Sequence, residues 1–158
     1  MGTRLLQYGE PAFYFKGKTL VNNEFNFDTV AGRFIVLCFF GSASNQIVQK
    51  ILEGFYKYQG IFNEQQACFL GVSIDPEDQS ANRIASQLPG FHIFWDFDRS
   101  ISQLYGALQE VPATSTYDIA YQAHSLVLDQ RLRVISCIPF SQDADREHLI
   151  KVRSKNAD

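Results

Sequence analysis

The chain has 158 residues, of which 46% are hydrophobic and 20% are charged, a size and balance typical of one globular domain. Its formal net charge of −3, with no basic stripe, argues against a nucleic-acid-binding class. The longest apolar run, residues 34–40, is too short to cross a bilayer and no charged-then-apolar leader precedes it, so we expect no membrane association and a cytoplasmic location.

The sequence predicts a single domain over residues 1–158, in which residues 1–32 form an irregular lead-in with one short strand pair. The lead-in mixes glycine, proline and asparagine with aromatic residues and shows no sustained periodicity. The first regular element is predicted at residues 34–40. Its continuous apolar run, rich in β-forming residues, is typical of a strand buried on both faces of a parallel sheet.

A strand-to-helix turn is predicted to begin at Gly41. Ser42, Ser44 and Asn45 each carry a side chain suited to cap the helix that follows. Gly60 is predicted to end that helix. Helical spacing assigns it a buried face that comprises Ile47, Val48, Ile51, Leu52 and Phe55.

Two further strand–helix units follow. Asp75 is predicted to cap a helix after a strand at residues 67–74, and Asp98 a helix after a strand at residues 91–95. Helical spacing assigns the first of these helices a buried face of Ala81, Ile84, Ala85 and Leu88. It assigns the second a buried face of Ile101, Leu104, Tyr105 and Leu108.

The last third of the chain is predicted to close the sheet with a hairpin. A polar loop at residues 109–122 precedes strands at residues 125–128 and 132–138, and Ser141 is predicted to cap a helix that runs to about residue 152. Strands that alternate with helices favour an α/β fold, with a central, mostly parallel sheet made mixed by the hairpin and helices on both faces. This arrangement is that of a thioredoxin-like fold.

Five short motifs occur in the order and spacing of a known family. They are Gly9-Glu10-Pro11-Ala12, Gly32–Leu37, Val72-Ser73-Ile74-Asp75, Asp96 through Tyr105-Gly106, and Leu126–Asp129. Together they resemble the peroxiredoxins, also called the AhpC/TSA family. The resemblance implies a redox domain whose reactive thiolate, kept ionised at a helix N-terminus, attacks the O–O bond of a peroxide. No metal-ligand spacing is present, so we expect neither a metal nor another cofactor.

The catalytic motif of that family, P-x-x-x-[TS]-x-x-C, finds no cysteine here. Laid after the first strand, its proline falls on Gly41, its threonine on Asn45 and its cysteine on Val48. The alternative C-x-x-C register of the thioredoxin fold falls on Ser44 and Ile47. The resemblance therefore implies a peroxiredoxin-like domain without a peroxidatic cysteine, and hence a non-catalytic binding or interaction module.

Two other family features also lack a clear counterpart. The position of the active-site arginine falls near Ala123 and His124. The cis-proline expected in the same loop has no equivalent, because Pro112 lies too far upstream.

The three cysteines leave an alternative function open. Cys38, Cys68 and Cys137 all fall in predicted strands, where a free cysteine commonly packs as a small hydrophobic residue. The alternative is an active thiol peroxidase or oxidoreductase that uses one of them as a relocated reactive thiol, with Cys38 as the candidate near the motif.

Ser42, Ser44, Asn45 and His124 are the candidate ligand-binding residues. Ligands of α/β sheets bind at the carboxyl ends of strands, and a helix N-terminus offers N–H groups to an anion. The same serine and asparagine side chains are also ordinary helix caps. A Ser44–His124 pair could act as nucleophile and base, but the sequence identifies no third group to orient the histidine.

Two observations concern partners. The stretches Phe39–Ala43 and Phe94–Asp98 resemble peroxiredoxin-like domains that precede a 2-oxoglutarate/Fe(II) oxygenase, which implies a fused or associated oxygenase domain. The residues Phe13–Phe15, Tyr117 and Tyr121 either form an exposed interface patch or cover a sheet edge. Peroxiredoxins commonly associate, so the resemblance also implies a homodimer.

Overall fold

The lead-in contains the short strand pair that the sequence predicts. The computed structural model describes residues 5–19, 24–57, 59–62, 65–84, 90–109 and 120–140. Strands β1 (Lys16–Gly17) and β2 (Phe25–Asn26) pair antiparallel, and a 3₁₀ turn at Phe27–Val30 follows them.

A five-stranded mixed sheet forms the centre of the fold. The other elements are β3 (Phe34–Gly41), α1 (Gln46–Lys57), β4 (Ala67–Ser73), α2 (Pro76–Ser80), β5 (Phe91–Trp95), α3 (Ser100–Leu104), β6 (Leu108–Gln109), β7 (Ala120–Tyr121), β8 (His124–Leu128) and β9 (Val134–Pro139). The strand order is β5-β4-β3-β8-β9. Strands β3, β4 and β5 run parallel, whereas β8 and β9 add antiparallel pairs. The predicted α/β thioredoxin-like fold is therefore confirmed.

Strand β3 is buried on both faces, which explains its unbroken apolar run. Its residues 36, 38 and 40 belong to the core cluster that contains the buried face of α1. Its residues 35, 37 and 39 belong to a second cluster with residues of the lead-in and of α3. The predicted α1 residues Val48, Ile51, Leu52 and Phe55 are all buried, and Ile47 is partly buried.

Helix α2 is shorter than the sequence predicts. It ends at Ser80 because Asn82 adopts the left-handed conformation, with φ of 51°. The N–H of Asn82 donates to the carbonyl of Gln79, and the N–H of Arg83 donates to the carbonyl of Asp78. This pair of bonds is a Schellman end, in which asparagine takes the position usually held by glycine.

The buried face predicted for this second helix is partly wrong for the same reason. Ala81 is exposed, because the chain has left the helix by that point. Ile84 is buried as predicted. Ala85 and Leu88 lie outside the described residues.

The cap predicted for α3 is only partly correct. Arg99 has φ of 65° and occupies the N-cap position, so the helix starts at Ser100, and Asp96 and Asp98 share its first three N–H groups. The Asp96 carboxylate accepts hydrogen bonds from the N–H groups of Ile101 (3.0 Å) and Ser102 (2.7 Å). Asp98 accepts one, from the N–H of Ser100.

Helix α3 is only about one turn long, which alters its predicted buried face. Ile101 and Tyr105 are buried as predicted, but Leu104 is 38% exposed. Leu108 lies beyond the helix, in β6, where it pairs with Tyr121 of β7. Short strands thus occupy both ends of the predicted polar loop.

The closing hairpin of β8 and β9 is confirmed. The rest of that loop, with Pro112 and Tyr117, and the predicted helix from Ser141 lie outside the described residues. Among the helices that the structure describes, none combines the length and apolar character needed to span a membrane.

Candidate functional site

A cleft opens at the carboxyl end of β3, beside the first turn of α1. Its volume is about 580 Å³. Its walls come from the β3–α1 turn, from the segment between β7 and β8 and from the end of β9. The described residues that line it are Phe40, Gly41, Ser42, Ser44, Asn45, Ile47, Val48, Ile74, Tyr121, Gln122, Ala123, Pro139 and Phe140. None of these lining residues is charged, and none is a cysteine.

Gly41 lets the chain turn sharply from β3 into the cleft wall. Its φ is +78°, a conformation that side chains with a Cβ rarely adopt. A Cβ at this position would lie 3.0 Å from the ring of Tyr121. The Tyr121 hydroxyl is 3.0 Å from the hydroxyl of Ser102 in α3, which holds the ring in place. Tyr121 therefore belongs to the cleft wall and not to an exposed aromatic patch.

Asn45 caps helix α1, as the sequence allows. Its Oδ1 accepts hydrogen bonds from the N–H groups of Ile47 (2.8 Å) and Val48 (3.4 Å). Its backbone carbonyl accepts from the N–H of Gln49. Two of the N–H groups that could hold an anion or a thiolate at this helix end are thus engaged within the chain.

Ser42 and Ser44 form a hydrogen-bonded chain that leads to Asp75. The two hydroxyl oxygens are 2.8 Å apart, and the N–H of Ser44 donates to the hydroxyl of Ser42. Ser42 donates its own proton to Asp75 over 2.6 Å. This bond, supported by the guanidinium of Arg83, holds the pKa of Asp75 below its usual value.

The buried carboxylate of Asp78 ties the turn to the neighbouring strand–helix unit. Its two oxygens lie 3.1 and 2.9 Å from the N–H of Ala43, and one of them accepts from the Ser73 hydroxyl over 2.7 Å. Arg83 donates to Asp78 and also pairs with Asp75 and Glu77.

Sequence analysis missed these contacts, because it interpreted Asp75 only as a helix cap and assigned no hydrogen-bond partner to Asp78. The available signal was that both turns follow strands of a mostly parallel sheet, whose carboxyl ends share one edge.

The cysteines lie in the sheet and not in the cleft. Cys38 is fully buried in the core cluster that contains the buried face of α1. This burial raises the pKa of its thiol to about 12. Cys68 in β4 is also fully buried. Cys137 lies in the edge strand β9 and is partly buried. None of the three forms a disulfide.

His124 is separated from the other predicted ligand-binding residues. It pairs in register with Phe39, so its ring points to the face of the sheet away from α1 and stacks on Phe39 at 5.0 Å. Its Nδ1 donates to the carbonyl of Gln122, and burial lowers the pKa of the ring. The Ser44–His124 pair therefore does not form, and of the predicted set only Ser42, Ser44 and Asn45 line the cleft.

The predicted aromatic patch is only partly assembled. Tyr14 is 70% exposed and Phe13 is 40% exposed, and Tyr8 is also exposed. Phe15 instead stacks on Phe27 within the second core cluster.

Comparisons with known proteins agree with this architecture. The model of the AhpC/TSA family matches residues 8–135. No significant sequence match to a curated protein is found. A cysteine-to-serine mutant of peroxiredoxin Q from Xanthomonas campestris has a similar structure, with 16% identity, a TM-score of 0.73, and coverage of 90% of this chain and 91% of that chain.

Two further solved structures show the same fold. Peroxidoxin BcpB from Mycobacterium tuberculosis is 18% identical, with a TM-score of 0.74 over 94% of this chain and 97% of that chain. A mutant of PrxQ from Xylella fastidiosa is 16% identical, with a TM-score of 0.76 over 96% of this chain and 98% of that chain.

Proposed function

Because the chain belongs to the AhpC/TSA family, we propose that it is a family member without a peroxidatic cysteine, and that it acts as a non-catalytic binding module. The observation that carries the proposal is Val48. The family motif puts the reactive cysteine at this position, in the first turn of α1 and on the wall of the cleft, and valine has no group that reacts with a peroxide.

The chemistry of peroxide reduction supports this proposal. A thiolate attacks one peroxide oxygen, an S–O bond forms, the O–O bond breaks, and the departing oxygen leaves as water or an alcohol after taking up a proton. The hydroxyls of Ser42 and Ser44 are poor substitutes, because they are far from ionised near neutral pH. Among the described lining residues there is also no cation to stabilise such an anion.

The shape of the cleft supports a binding role. A volume of about 580 Å³ is in the range of small-molecule sites, and apolar walls with a few polar groups are typical of them. Ser44 and Asn45 supply polar groups on one wall, and Ile47, Val48 and Phe140 supply apolar surface.

One observation keeps a thiol enzyme as the second candidate. Cys137 is only partly buried and lies in an edge strand, so a reagent could reach it more easily than the other two cysteines. Cys38 and Cys68 do not favour this candidate, because both are fully buried.

Alkylation of the native protein with iodoacetamide near neutral pH, followed by mass mapping of each cysteine, separates these candidates. The proposal expects all three thiols to react much more slowly than in the urea-unfolded chain, by about 100-fold for the two buried ones. A native thiol that reacts faster than it does in the unfolded chain would overturn the proposal, because such a rate requires exposure and a lowered pKa.

Three further proposals rest on the sequence alone. They are association with a second copy, association with an oxygenase domain, and a cytoplasmic location. Sedimentation at several concentrations tests the first, since a homodimer must give twice the mass of the chain at high concentration.

A further inference from the structure

We infer that the cleft binds an uncharged organic molecule with an apolar body and an amide or hydroxyl group, and that it rejects anions. This inference rests on the proposed binding function and adds the chemical class of the ligand. It follows from where the N–H groups, the protons and the charges of the β3–α1 turn are directed.

Five N–H groups of the turn and of the first turn of α1 already have partners within the chain. The N–H of Ala43 donates to Asp78, and the N–H of Ser44 donates to the hydroxyl of Ser42. The N–H of Asn45 donates to the carbonyl of Ser42, and two N–H groups of α1 donate to the Asn45 side chain. An anion that uses any of these five groups must displace an intramolecular partner, and a carboxylate partner such as Asp78 is a strong competitor.

The two serine hydroxyls of the turn donate their protons in an order that leaves one hydrogen-bond acceptor on the cleft wall. Asp75 is held ionised and can only accept hydrogen bonds, so the Ser42 hydroxyl must donate its single proton to Asp75. The short contact between Ser42 and Ser44 then requires Ser44 to donate to Ser42. The hydroxyl oxygen of Ser44, which is exposed on the cleft wall, is therefore available as an acceptor for an O–H or N–H of the ligand.

The charges behind the turn are unfavourable to an anion as well. Three carboxylates, those of Asp75, Glu77 and Asp78, surround the single guanidinium of Arg83, so the cluster is negative overall. Ser42 lines the cleft and donates to the Asp75 carboxylate over 2.6 Å, so an anion in contact with Ser42 would lie near this cluster. Like charges repel, and a partly buried cleft screens the repulsion less than bulk water does.

The negative cluster attracts a cation and the positive end of the α1 dipole attracts an anion, so these two fields oppose each other at the cleft. A cation that enters also loses hydration without a direct partner, because the described lining residues carry no carboxylate. A neutral amide has no charge to desolvate: its N–H can bond Ser44, its carbonyl can accept from the Nδ2 amide group of Asn45, and its apolar body can contact Ile47, Val48 and Phe140.

Three probes of nearly equal shape test the inference: benzamide, benzoate and benzylamine. Each is titrated into the ¹⁵N-labelled full chain near neutral pH and at one ionic strength, and backbone amide shifts are followed. The inference expects saturable shifts at Ser44, Val48 and Gln122 with benzamide, and dissociation constants about tenfold or more weaker for the two charged probes. Binding of either charged probe as tightly as benzamide, or no saturable shift with benzamide, would overturn it.

Two variants and one control variant locate the interaction. Ser44→Ala removes the acceptor and should weaken benzamide binding by about threefold to tenfold, whereas Ser80→Ala, an exposed serine outside the cleft, should leave it unchanged. Asp75→Asn reduces the negative charge behind the turn and should narrow the gap between benzoate and benzamide. Equal loss of binding in both serine variants would contradict the assignment.

The result of the probe titrations does not depend on whether any cysteine is reactive. Preferential benzoate binding would overturn the ligand class and leave the non-catalytic account intact. A reactive native cysteine would overturn that account whatever the probes do.

Discussion

The interior of the sheet and the first turn of α1 are opposite environments for a thiol. The sheet holds the cysteines, but burial suppresses ionisation, as the pKa of about 12 for Cys38 shows. The turn has the helix N-terminus and the open cleft that reactive thiols use, but it carries Val48. The difference teaches that two requirements of a reactive thiol are separated in this chain: the open cleft at a helix N-terminus lies at the β3–α1 turn, whereas the cysteines lie in the strands of the sheet.

The two regions are also stabilised differently. The sheet interior is held by apolar contacts on both faces of β3. The turn is held by a polar network in which Asp78, Ser42 and Asn45 accept or donate hydrogen bonds. Substitutions at the turn should therefore act through hydrogen bonds and backbone conformation.

The largest effect is expected from Val48→Cys, which moves a thiol from one environment to the other. Val48 lines the cleft but is only 3% exposed, so the new thiol should be alkylated faster than the fully buried Cys38 and more slowly than a thiol of the unfolded chain. Its oxidation by hydrogen peroxide should not exceed the rate of an ordinary free thiol, because the Asn45 side chain already accepts from two N–H groups of the first helical turn. Mass mapping after timed exposure to each reagent measures both rates.

Rapid peroxide reduction by the Val48→Cys variant would contradict the proposed difference between the sheet interior and the first turn of α1. It would mean that the turn still activates a thiol despite the Asn45 cap. A Val48→Ala variant, which changes the packing without adding a thiol, serves as the control.

The next effect is expected from Asp78→Asn. This change weakens the bonds to Ala43, Ser73 and Arg83 around a buried carboxylate, and we expect the free energy of unfolding to fall by about 2–3 kcal/mol. Urea unfolding measures the change. Glu77→Gln is the matched control, because the Glu77 side chain is 73% exposed and its loss should cost less than about 0.5 kcal/mol. Equal losses would show that the turn does not depend on Asp78.

A smaller effect is expected from Gly41→Ala. The left-handed backbone alone should cost about 1–2 kcal/mol, and contact of the new methyl group with the Tyr121 ring at 3.0 Å should add to it. Gly32→Ala measures the cost of the left-handed backbone alone, because Gly32 has φ of +90° and an added Cβ would have open space around it. Thermal or urea unfolding should rank Gly41→Ala below Gly32→Ala in stability, and the reverse order would refute the close packing of Tyr121 on the turn.

The smallest effect is expected from pH. The pKa of Asp75 is lower in the folded chain, so its contribution is present above the unfolded pKa and is lost as pH falls through the folded pKa. Between about pH 5 and about pH 3, the parent chain should lose about 0.5 kcal/mol more than Asp75→Asn, a small value because the side chain is 26% exposed and partly screened.

Asp96 should behave in the opposite way. Burial raises its pKa, so its contribution is greatest below the unfolded pKa and is lost as pH rises through the folded pKa. Unfolding measured across this pH range with Asp75→Asn and Asp96→Asn should therefore give slopes that change in opposite directions. Slopes that change in the same direction would contradict the two environments described for these carboxyls.

Strands and the buried helix face were predictable from the sequence. The apolar runs at β3 and β5 and the helical spacing in α1 reflect burial, which acts on each element separately. The ends of α2 and α3 were less predictable, because they depend on single left-handed residues, Asn82 and Arg99.

Of the candidate site, only the part in the β3–α1 turn was predictable from the sequence. The capping residue types of Ser42, Ser44 and Asn45 pointed to this place. The bond from Ala43 to Asp78 depends on how two distant loops meet, and the sequence does not show which carboxylate reaches across. His124 was misplaced because a single residue of register in β8 decides which face of the sheet a side chain enters.

The most direct test of the central claim is to treat the native chain with hydrogen peroxide and map sulfenic acid at Cys38, Cys68 and Cys137 by mass spectrometry. The account predicts that none of the three is oxidised at modest peroxide concentration, while the urea-unfolded chain is oxidised at all three. Fast, stoichiometric oxidation of one cysteine in the native chain would contradict the account and identify a relocated peroxidatic thiol.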